Sequence, residues 1–194
     1  MNKRKLTRVV FLDKDGVINV DSPDYIKSWA EVTFIPGSLE ALRRLADAGF
    51  TVILITNQSG INRGLMTRET LDYMLVKMAH MVANVGGCIT DAFYCPHAPG
   101  ENCDCRKPRP GLIQKACDAY AIDLFSACMI GDNAKDIECG LAAGCGCTIL
   151  VRTGNGTSAE KELNEKGIVP AHTAADLLEA ARWLTDNTDS DPAA

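Results

Sequence analysis

The sequence has no excess of basic residues, no long hydrophobic run, and no internal repeat or low-complexity linker. Its 20 lysines and arginines are outnumbered by 25 aspartates and glutamates, which argues against a protein that binds a nucleic-acid backbone. No apolar run approaches the roughly 20 residues of a membrane span, and the run that follows the basic start, Val9–Leu12, is too short for a secretory signal. We therefore expect a cytoplasmic protein that binds neither nucleic acid nor membrane.

The composition is that of one globular domain. The chain has 194 residues, of which 46% are hydrophobic and 23% are charged. A chain of this length buries roughly 70% of its unfolded surface. We expect a single domain over residues 1–185, a flexible polar tail over residues 186–194, and a monomer as the default state. The nine cysteines are expected to be thiols or metal ligands rather than disulfides, as is usual in the cytoplasm.

Short apolar runs alternate with amphipathic segments along the chain. The runs are continuous and rich in β-branched residues, which is typical of a parallel sheet covered on both faces. The alternation predicts a doubly wound, mostly parallel α/β sheet, whose ligands bind beyond the carboxyl ends of the strands. The predicted strands are 9–12, 51–56, 92–94, 127–130 and 148–151, and the predicted helices are 38–45, 71–85, 112–120, 137–142 and 177–184, the first of them capped by Ser38.

Two carboxylates, Asp13 and Asp15, follow the first predicted strand and precede Gly16. On extended backbone, alternate side chains point the same way, so the two charges repel each other unless a partner uses them. Mg²⁺ is the natural partner for oxygen ligands. One carboxylate could then attack an electrophile while the other moves a proton. For such a pair alone, a capping or solvated turn is the alternative.

Polar residues also follow the second and fourth predicted strands. Residues 56–60 read TNQSG, a composition suited to hydrogen bonding with phosphate oxygens. Asp132 follows the fourth strand and would bring a third carboxylate to the same edge of the sheet. Lys107 lies shortly before a predicted helix, where its charge can neutralise a phosphoryl group. Together these residues favour a phosphate site over a solvated turn.

Taken in chain order, these residues form one set: Asp13-x-Asp15-Gly16, Thr56, Lys107 and Gly131-Asp132. The set resembles the four motifs of the haloacid dehalogenase superfamily of phosphatases. The resemblance implies the Rossmann-like fold of that superfamily in a compact, capless form. A receiver domain shares the acceptor aspartate, the threonine and the lysine, but it lacks a proton-transfer acid two residues after the acceptor.

The resemblance also implies a role for each catalytic residue. Asp13 would attack phosphorus and form an aspartyl-phosphate, and Asp15 would protonate the leaving alcohol and then activate water. Thr56 and Lys107 would hold the phosphoryl oxygens. The implied Mg²⁺ ligands are Asp13, the backbone carbonyl of Asp15, and Asp132, with Asp136 ordering the loop behind them.

A second cluster, Cys95, His97, Cys103 and Cys105, has the spacing C-x-H-x5-C-x-C. Three thiols and one imidazole form a tetrahedral zinc set, and the protein fills all four positions, so the ion would be structural. Arg106 and Lys107 follow Cys105 directly, so a zinc-pinned loop would hold both cations at the phosphate site. The remaining cysteines are expected to be buried thiols: Cys88, Cys117, Cys128, Cys139, Cys145 and Cys147.

A zinc loop ahead of the lysine motif is found in two families of the superfamily, the heptose-1,7-bisphosphate 7-phosphatases and the histidinol phosphatases. The chain resembles the former over nearly its whole length. Residues 59–64 (SGINRG) and the free-standing length favour it, whereas the compact zinc loop fits both. The resemblance implies hydrolysis of a sugar bisphosphate to heptose 1-phosphate, in ADP- or GDP-heptose and lipopolysaccharide synthesis.

The substrate contacts are also implied by the resemblance. Residues 19–27 and Arg106 would contact the sugar bisphosphate. Asp21 and Asp24 could instead receive a cationic amino alcohol, which keeps a histidinol phosphatase as the alternative. An inactive, zinc-ordered binding module is the second alternative, but no member of the catalytic set is missing. The expected substrate-binding residues are Asp21, Asp24, Asn57, Gln58, Ser59, Arg106 and Asn133, the last replacing a lysine that some relatives carry.

Overall fold

The computed structural model describes residues 3–188 and contains eight strands. They are β1 (Arg4–Leu6), β2 (Val9–Leu12), β3 (Thr51–Asn57), β4 (Asp91–Cys95), β5 (Tyr120–Ile122), β6 (Cys128–Gly131), β7 (Cys147–Val151) and β8 (His172–Ala174). Six of these strands form one parallel sheet in the order β4-β3-β2-β6-β7-β8. β1 and β5 form a separate parallel pair.

Six α-helices cover the two faces of the large sheet. They are α1 (Ser38–Asp47), α2 (Arg68–Ala83), α3 (Gly111–Ala119), α4 (Ala134–Ala143), α5 (Gly156–Glu165) and α6 (Leu177–Thr188). Helices α1, α2 and α6 share one hydrophobic cluster with the sheet, whereas α3, α4 and α5 pack on the opposite face. Between residues 3 and 188, no helix combines the length and the apolar character needed to cross a membrane.

The strand residues alternate between the two clusters. Val10 and Leu12 of β2 pack with α1 and α6, and Val9 and Phe11 pack with α3 on the other face. Because both faces are covered, all four side chains are buried, which explains the continuous apolar run in the sequence. Each such side chain contributes about 1.5–3 kcal/mol to folding. The doubly wound, parallel α/β fold predicted from the sequence is therefore confirmed.

Several elements differ from the sequence-based expectation. Ser38 is the first residue of α1 rather than its cap, and the capping position is taken by Gly37 with a left-handed backbone (φ 84°). Helix α5, strand β8 and the β1–β5 pair were not predicted. Helix α6 continues to Thr188, so the proposed tail does not begin at residue 186; the guanidinium of Arg44 bonds the carboxylate of Asp186 at 2.7 Å. Residues 189–194 lie outside the described residues.

The sheet brings the carboxyl ends of its strands to one edge. β2 lies at the centre, between β3 and β6, so the chain connects outward from it in both directions. Such a switch point leaves a crevice beyond the strand ends. The loops that follow β2, β3, β4, β6 and β7 all meet there, and they carry the polar residues singled out in the sequence.

Candidate active site

Three carboxylates converge beyond the ends of β2 and β6. Asp13 follows β2 and donates its backbone N–H to the carbonyl of Ile130 at 3.0 Å. Asp132 follows β6, and Asp136 lies in the first turn of α4. One carboxylate oxygen from each of these aspartates lies within 4.8 Å of the others. All three side chains are buried, so their charges are poorly screened by solvent.

Lys107 supplies a buried positive charge at this cluster. Its Nζ lies 2.9 Å from Oδ1 of Asp13 and 2.6 Å from Oδ1 of Asp136, and it donates to the carbonyl of Ile55 at 2.8 Å. The side chain is only 2% exposed. Burial works against the ammonium, but the charges of Asp13 and Asp136 outweigh it and raise the pKa of Lys107 above its ordinary value. Lys107 is therefore charged, and it offsets part of the negative charge of three carboxylates.

Lys107 does not offset all of the negative charge, and the pKa values of Asp132 and Asp136 remain raised. Burial, followed by the charges of Asp13 and Asp136, raises the pKa of Asp132 to about 8. Burial also raises the pKa of Asp136 to about 6, although Lys107 opposes the shift. Carboxylates that resist ionisation in this way need further positive charge, and hard oxygen donors suit a divalent cation. The donor set therefore fits Mg²⁺.

Two glycines leave room for the Asp132 carboxylate. A Cβ at Gly16 would lie 2.2 Å from Oδ2 of Asp132, and a Cβ at Gly154 would lie 2.1 Å from the same oxygen. Both glycines also have a positive φ, of 81° and 57°, that other residues rarely adopt. The backbone N–H of Asn155 donates to Oδ2 of Asp132 at 2.7 Å. The turns after β2 and β7 therefore fix this carboxylate from two sides.

Asp15 lies in a hydrogen-bond network of its own, and its carboxylate does not belong to the three-carboxylate cluster. Its Oδ1 contacts the Lys14 ammonium and accepts a hydrogen bond from Nδ2 of Asn19 at 2.9 Å. Its Oδ2 accepts from Nε2 of Gln58 at 2.7 Å. The same nitrogen donates to Oγ1 of Thr56 at 3.0 Å. The network holds the Asp15 side chain apart from the three-carboxylate cluster.

The cysteine cluster also converges, in the loop between β4 and α3. The ligand atoms of Cys95, His97, Cys103 and Cys105 lie within 4.8 Å of one another. The Cys95 and Cys105 sulfurs are 3.2 Å apart, and Nδ1 of His97 lies 3.4 Å from Cys95 Sγ and 3.3 Å from Cys105 Sγ. We call residues 95–105 the metal loop. Its four donors lie close enough together to hold one metal ion.

The C-terminal end of the metal loop is hydrogen-bonded to the active site. The side chain of Asn57 accepts a hydrogen bond from the backbone N–H of Lys107 at 3.1 Å and donates to its carbonyl at 3.3 Å. The Arg106 guanidinium donates to the carbonyl of His97 at 3.0 Å. Arg106 and Lys107 are therefore held in place by contacts with both β3 and the metal loop.

A cavity of about 320 Å³ opens over these residues. Asp13, Asp15, Thr56, Lys107 and Asp132 all line it. Of the expected substrate-binding residues, Asp24 does not line it, because it lies on the exposed turn beyond Pro23. The others do: Asp21, Asn57, Gln58, Ser59, Arg106 and Asn133.

Tyr25 of the cavity wall lies within the segment 19–27 that was expected to contact the substrate, whereas two further lining residues, Lys135 and Asn155, were not expected as site residues from the sequence. Lys135 lies two positions after Asn133, and its spacing from the Asp132 motif is the one signal that pointed toward it. Asn155 lies in the turn after β7, and its Nδ2 is 3.5 Å from both Asp132 Oδ2 and Asp21 Oδ2.

The other cysteines are free thiols. Cys128, Cys139 and Cys145 are buried as expected, whereas Cys117 and Cys147 are only half-buried and Cys88 is exposed, contrary to the expectation. Burial raises the pKa values of Cys139 and Cys145 to about 12, so both remain protonated at neutral pH. These residues therefore act as core side chains rather than as nucleophiles or metal ligands.

Comparison with known proteins agrees with this geometry. The family model "HAD-hyrolase-like" matches residues 104–180. A D-glycero-beta-D-manno-heptose-1,7-bisphosphate 7-phosphatase from Pseudomonas putida is 45% identical over 179 residues, which cover 91% of this chain and 99% of the relative. A protein of the same name from Escherichia coli K12 is 35% identical over 185 residues, which cover 92% of this chain and 95% of the relative.

Solved structures give the same assignment. The D,D-heptose 1,7-bisphosphate phosphatase from B. bronchiseptica, crystallised with magnesium and phosphate, superposes with a TM-score of 0.85 and is 39% identical, covering 92% of this chain and 98% of that one. The corresponding enzyme from Burkholderia thailandensis is 35% identical, with a TM-score of 0.67 and coverage of 94% and 99%. The chain therefore belongs to the D-glycero-β-D-manno-heptose-1,7-bisphosphate 7-phosphatase family of HAD-like hydrolases.

Proposed function

We propose that this protein hydrolyses the 7-phosphate of D-glycero-β-D-manno-heptose 1,7-bisphosphate to give the heptose 1-phosphate. The observation that carries the proposal is the convergence of Asp13, Asp15 and Lys107 on one cavity in a chain of this family. The β anomer is taken from the names of the relatives. The product would serve ADP- or GDP-heptose synthesis for lipopolysaccharide.

The first half of the reaction transfers the phosphoryl group to the protein. A carboxylate oxygen of Asp13 attacks phosphorus, and the bond between phosphorus and the C7 oxygen breaks. Asp15 gives its proton to that oxygen, so heptose 1-phosphate leaves as an alcohol. Lys107 and the Thr56 hydroxyl hold the phosphoryl oxygens while Asp13 becomes an aspartyl-phosphate.

The second half regenerates Asp13. Asp15, now a carboxylate, takes a proton from a water molecule, and the oxygen of that water attacks the phosphorus of the aspartyl-phosphate. The acyl phosphate bond breaks, inorganic phosphate leaves, and both aspartates return to their starting states. The contacts from Lys14, Asn19 and Gln58 keep Asp15 in place for both proton transfers.

We assign the Mg²⁺ ligands as the Asp13 and Asp132 side chains and the backbone carbonyl of Asp15. When bound, Mg²⁺ would supply the positive charge that offsets repulsion between the Asp13 carboxylate and a phosphate dianion. Asp136 is assigned instead to Lys107 and to the loop, because its Oδ1 pairs with Lys107 and its Oδ2 accepts from the backbone N–H of Asn133 at 3.0 Å. The raised pKa of Asp132 supports this site.

We assign the metal loop to a structural Zn²⁺. Zn–S bonds of about 2.3 Å in a tetrahedron place the sulfurs about 3.8 Å apart. The Cys95 sulfur lies 3.2 Å from that of Cys105 and 3.6 Å from that of Cys103, so a small expansion of the cluster accommodates the ion. Sulfur and imidazole donors favour zinc over Mg²⁺.

The remaining assignments concern the substrate and the setting. We propose that Asp21, Ser59 and Arg106 contact the sugar bisphosphate, because they line the cavity around the catalytic residues. We propose one catalytic domain, which extends through helix α6, and a monomer. None of the nine cysteines forms a disulfide, which supports a reducing compartment, and we propose the cytoplasm.

The test is Mg²⁺-dependent phosphate release from both anomers of heptose 1,7-bisphosphate and from histidinol phosphate, on zinc-replete protein. We expect a clear preference for the β anomer. A preference for histidinol phosphate would overturn the substrate but leave the catalytic roles in place. Absence of release from all three would refute the proposed activity.

A further inference from the structure

Gln58 lies between Asp15, which we assign to proton transfer, and Thr56, which we assign to the phosphoryl oxygens. Its side chain is buried, with 6% relative exposure. Its Nε2 donates to Oδ2 of Asp15 at 2.7 Å and to Oγ1 of Thr56 at 3.0 Å. An amide nitrogen has two hydrogens, so both are used within the protein. This nitrogen is therefore committed to the protein rather than to the substrate.

The orientation of the Gln58 amide follows from the chemistry of its partners. The amide nitrogen, rather than the amide oxygen, faces Asp15, so its two hydrogens reach the carboxyl group and the Thr56 hydroxyl together. The reversed amide would remove the donor from both of these contacts. Oδ1 of Asp15 is already in contact with Lys14 and Asn19. Gln58 is thus the group that fixes the second oxygen of Asp15 and, with it, the rotation of the carboxylate.

The contact with Thr56 has a separate consequence. A threonine hydroxyl can accept one hydrogen bond and donate its own hydrogen elsewhere. Because Oγ1 accepts from Gln58, its hydrogen is directed away from that amide. Thr56 lines the cavity, as Asp15 does, so the hydrogen of the Thr56 hydroxyl is available to a phosphoryl oxygen. The Gln58 side chain therefore orients both the Thr56 hydroxyl, which would donate a hydrogen bond to the phosphoryl group, and Asp15, which would protonate the leaving group.

We propose that Gln58 is a positioning residue that aligns Asp15 for proton transfer to the leaving alcohol and orients the Thr56 hydroxyl, rather than a direct substrate ligand. The inference rests on the proposed function, because it uses the roles assigned to Asp15 and Thr56. It replaces the expectation, drawn from the sequence, that Gln58 binds the substrate.

The test compares two leaving groups in the variant Gln58→Met, which keeps the side-chain length and removes the donors. A sugar alkoxide needs the proton of Asp15, whereas p-nitrophenolate leaves without one. Loss of the Thr56 contact should lower kcat/KM for both substrates by about two- to tenfold. Misalignment of Asp15 should lower kcat/KM for the heptose bisphosphate by a further factor of about 10–100, which is part of what general acid catalysis supplies.

The readout is the ratio of kcat/KM for the bisphosphate to that for p-nitrophenyl phosphate. Gln58→Glu, which places a carboxylate against Asp15, should lower this ratio in the same direction and serves as a second variant. The matched control is Gln114→Met, since Gln114 is the other glutamine of the chain and lies exposed on α3. Thermal unfolding of each variant establishes that it is folded.

An unchanged ratio, with equal losses on both substrates, would overturn the proposal and indicate a merely structural role. A rise in KM for the bisphosphate alone, with kcat unchanged, would also overturn it, because that result indicates direct substrate binding. If the wild type uses p-nitrophenyl phosphate but not the bisphosphate, the proposed substrate fails, and histidinol phosphate serves as the alkyl ester for the same ratio. Inactivity of the wild type on all three esters would overturn both the function and the inference.

Discussion

Lys107→Met would remove the buried ammonium that Asp13 and Asp136 share while keeping most of the side-chain volume. The Nζ of Lys107 lies 2.9 Å and 2.6 Å from the two carboxylates, and the side chain is 2% exposed, so water cannot replace it without rearrangement. Removing one partner of a buried ion pair costs about 3–5 kcal/mol, since the remaining charge is left uncompensated. Because Asp132 adds a third carboxylate, we expect no smaller effect here.

The expected loss is large enough to measure by thermal unfolding. For a chain of this size, 1 kcal/mol corresponds to about 2–4 °C in Tm. The Tm of Lys107→Met should therefore fall by roughly 6–20 °C in Mg²⁺-free buffer at pH 8. Circular dichroism at 222 nm follows the transition, and phosphate release should be lost in the same variant.

The loss should also depend on pH. The pKa values of Asp136 and Asp132 are raised to about 6 and about 8, above their ordinary value of 3.8. A carboxyl group whose pKa is raised in the folded protein lowers the free energy of unfolding as pH rises from the ordinary pKa to the raised one. The reason is that the unfolded chain releases the proton at a lower pH than the folded protein does. Lys107 offsets this cost. The difference in Tm between wild type and variant should therefore be smaller at pH 5 than at pH 8.

Two controls make the test specific. Lys161→Met carries the same substitution on the exposed surface of α5 and should leave Tm unchanged within about 2 °C. Lys107→Met combined with Asp136→Asn should recover part of the loss, because one uncompensated charge is removed with the cation. A fall of less than about 3 °C, or an equal fall at both pH values, would refute the electrostatic account of Lys107.

Further predictions concern the nucleophile and the two metal sites. Asp13→Asn should abolish phosphate release while Tm stays within a few degrees of the wild type, because Lys107 keeps Asp136 as its partner and the cluster loses one of three mutually repelling carboxylates; unchanged turnover would exclude Asp13 as the nucleophile. Cys105→Ser should lose zinc by elemental analysis and lower kcat, because Lys107 is less firmly held; stoichiometric zinc in this variant would remove Cys105 from the ligand set. Mg²⁺ affinity, measured by calorimetry, should increase by up to about tenfold per pH unit between pH 6 and 8, since Asp132 must lose its proton to bind the ion; a pH-independent affinity would contradict this. Gly16→Ala would place a Cβ 2.2 Å from Oδ2 of Asp132 and should weaken Mg²⁺ binding at least about tenfold; wild-type affinity in this variant would show that the carboxylate can move.

The parts of the fold that could be predicted are those in which local sequence and burial agree. β2 and β3 are continuous apolar runs because both faces of each strand are covered. Helix α5 was missed because it is largely polar and buries only Gly156, Ala159 and Leu163. β8 has three residues and lies at the edge of the sheet. The end of α6 was placed in a tail because the Arg44–Asp186 ion pair joins positions 142 residues apart.

The residues of the candidate site that could be predicted are likewise those whose place depends on local sequence and strand order. Asp13 and Asp132 directly follow strands and Thr56 is the penultimate residue of β3, so their meeting at one edge could be predicted from parallel topology. Asp24 could not be separated from Asp21 in the sequence, because the turn through residues 21–24 directs only one of them to the cavity wall. Asn155 carried no signal, since its place depends on how the turn after β7 approaches Asp132.

The contacts of residues 57 and 58 make the metal loop an insert with both of its ends fastened to one short segment of the sheet. The backbone N–H of Gln58 donates to the carbonyl of Cys95 at 2.7 Å where the loop begins, and the side chain of Asn57 holds Lys107 where it has ended. The chain between these anchors closes on itself, so its length is not set by the rest of the domain. Loops of other lengths could therefore be grafted between the same anchors, and evolution could exchange this loop for one without the cysteine cluster while Lys107 keeps its position beside Asn57.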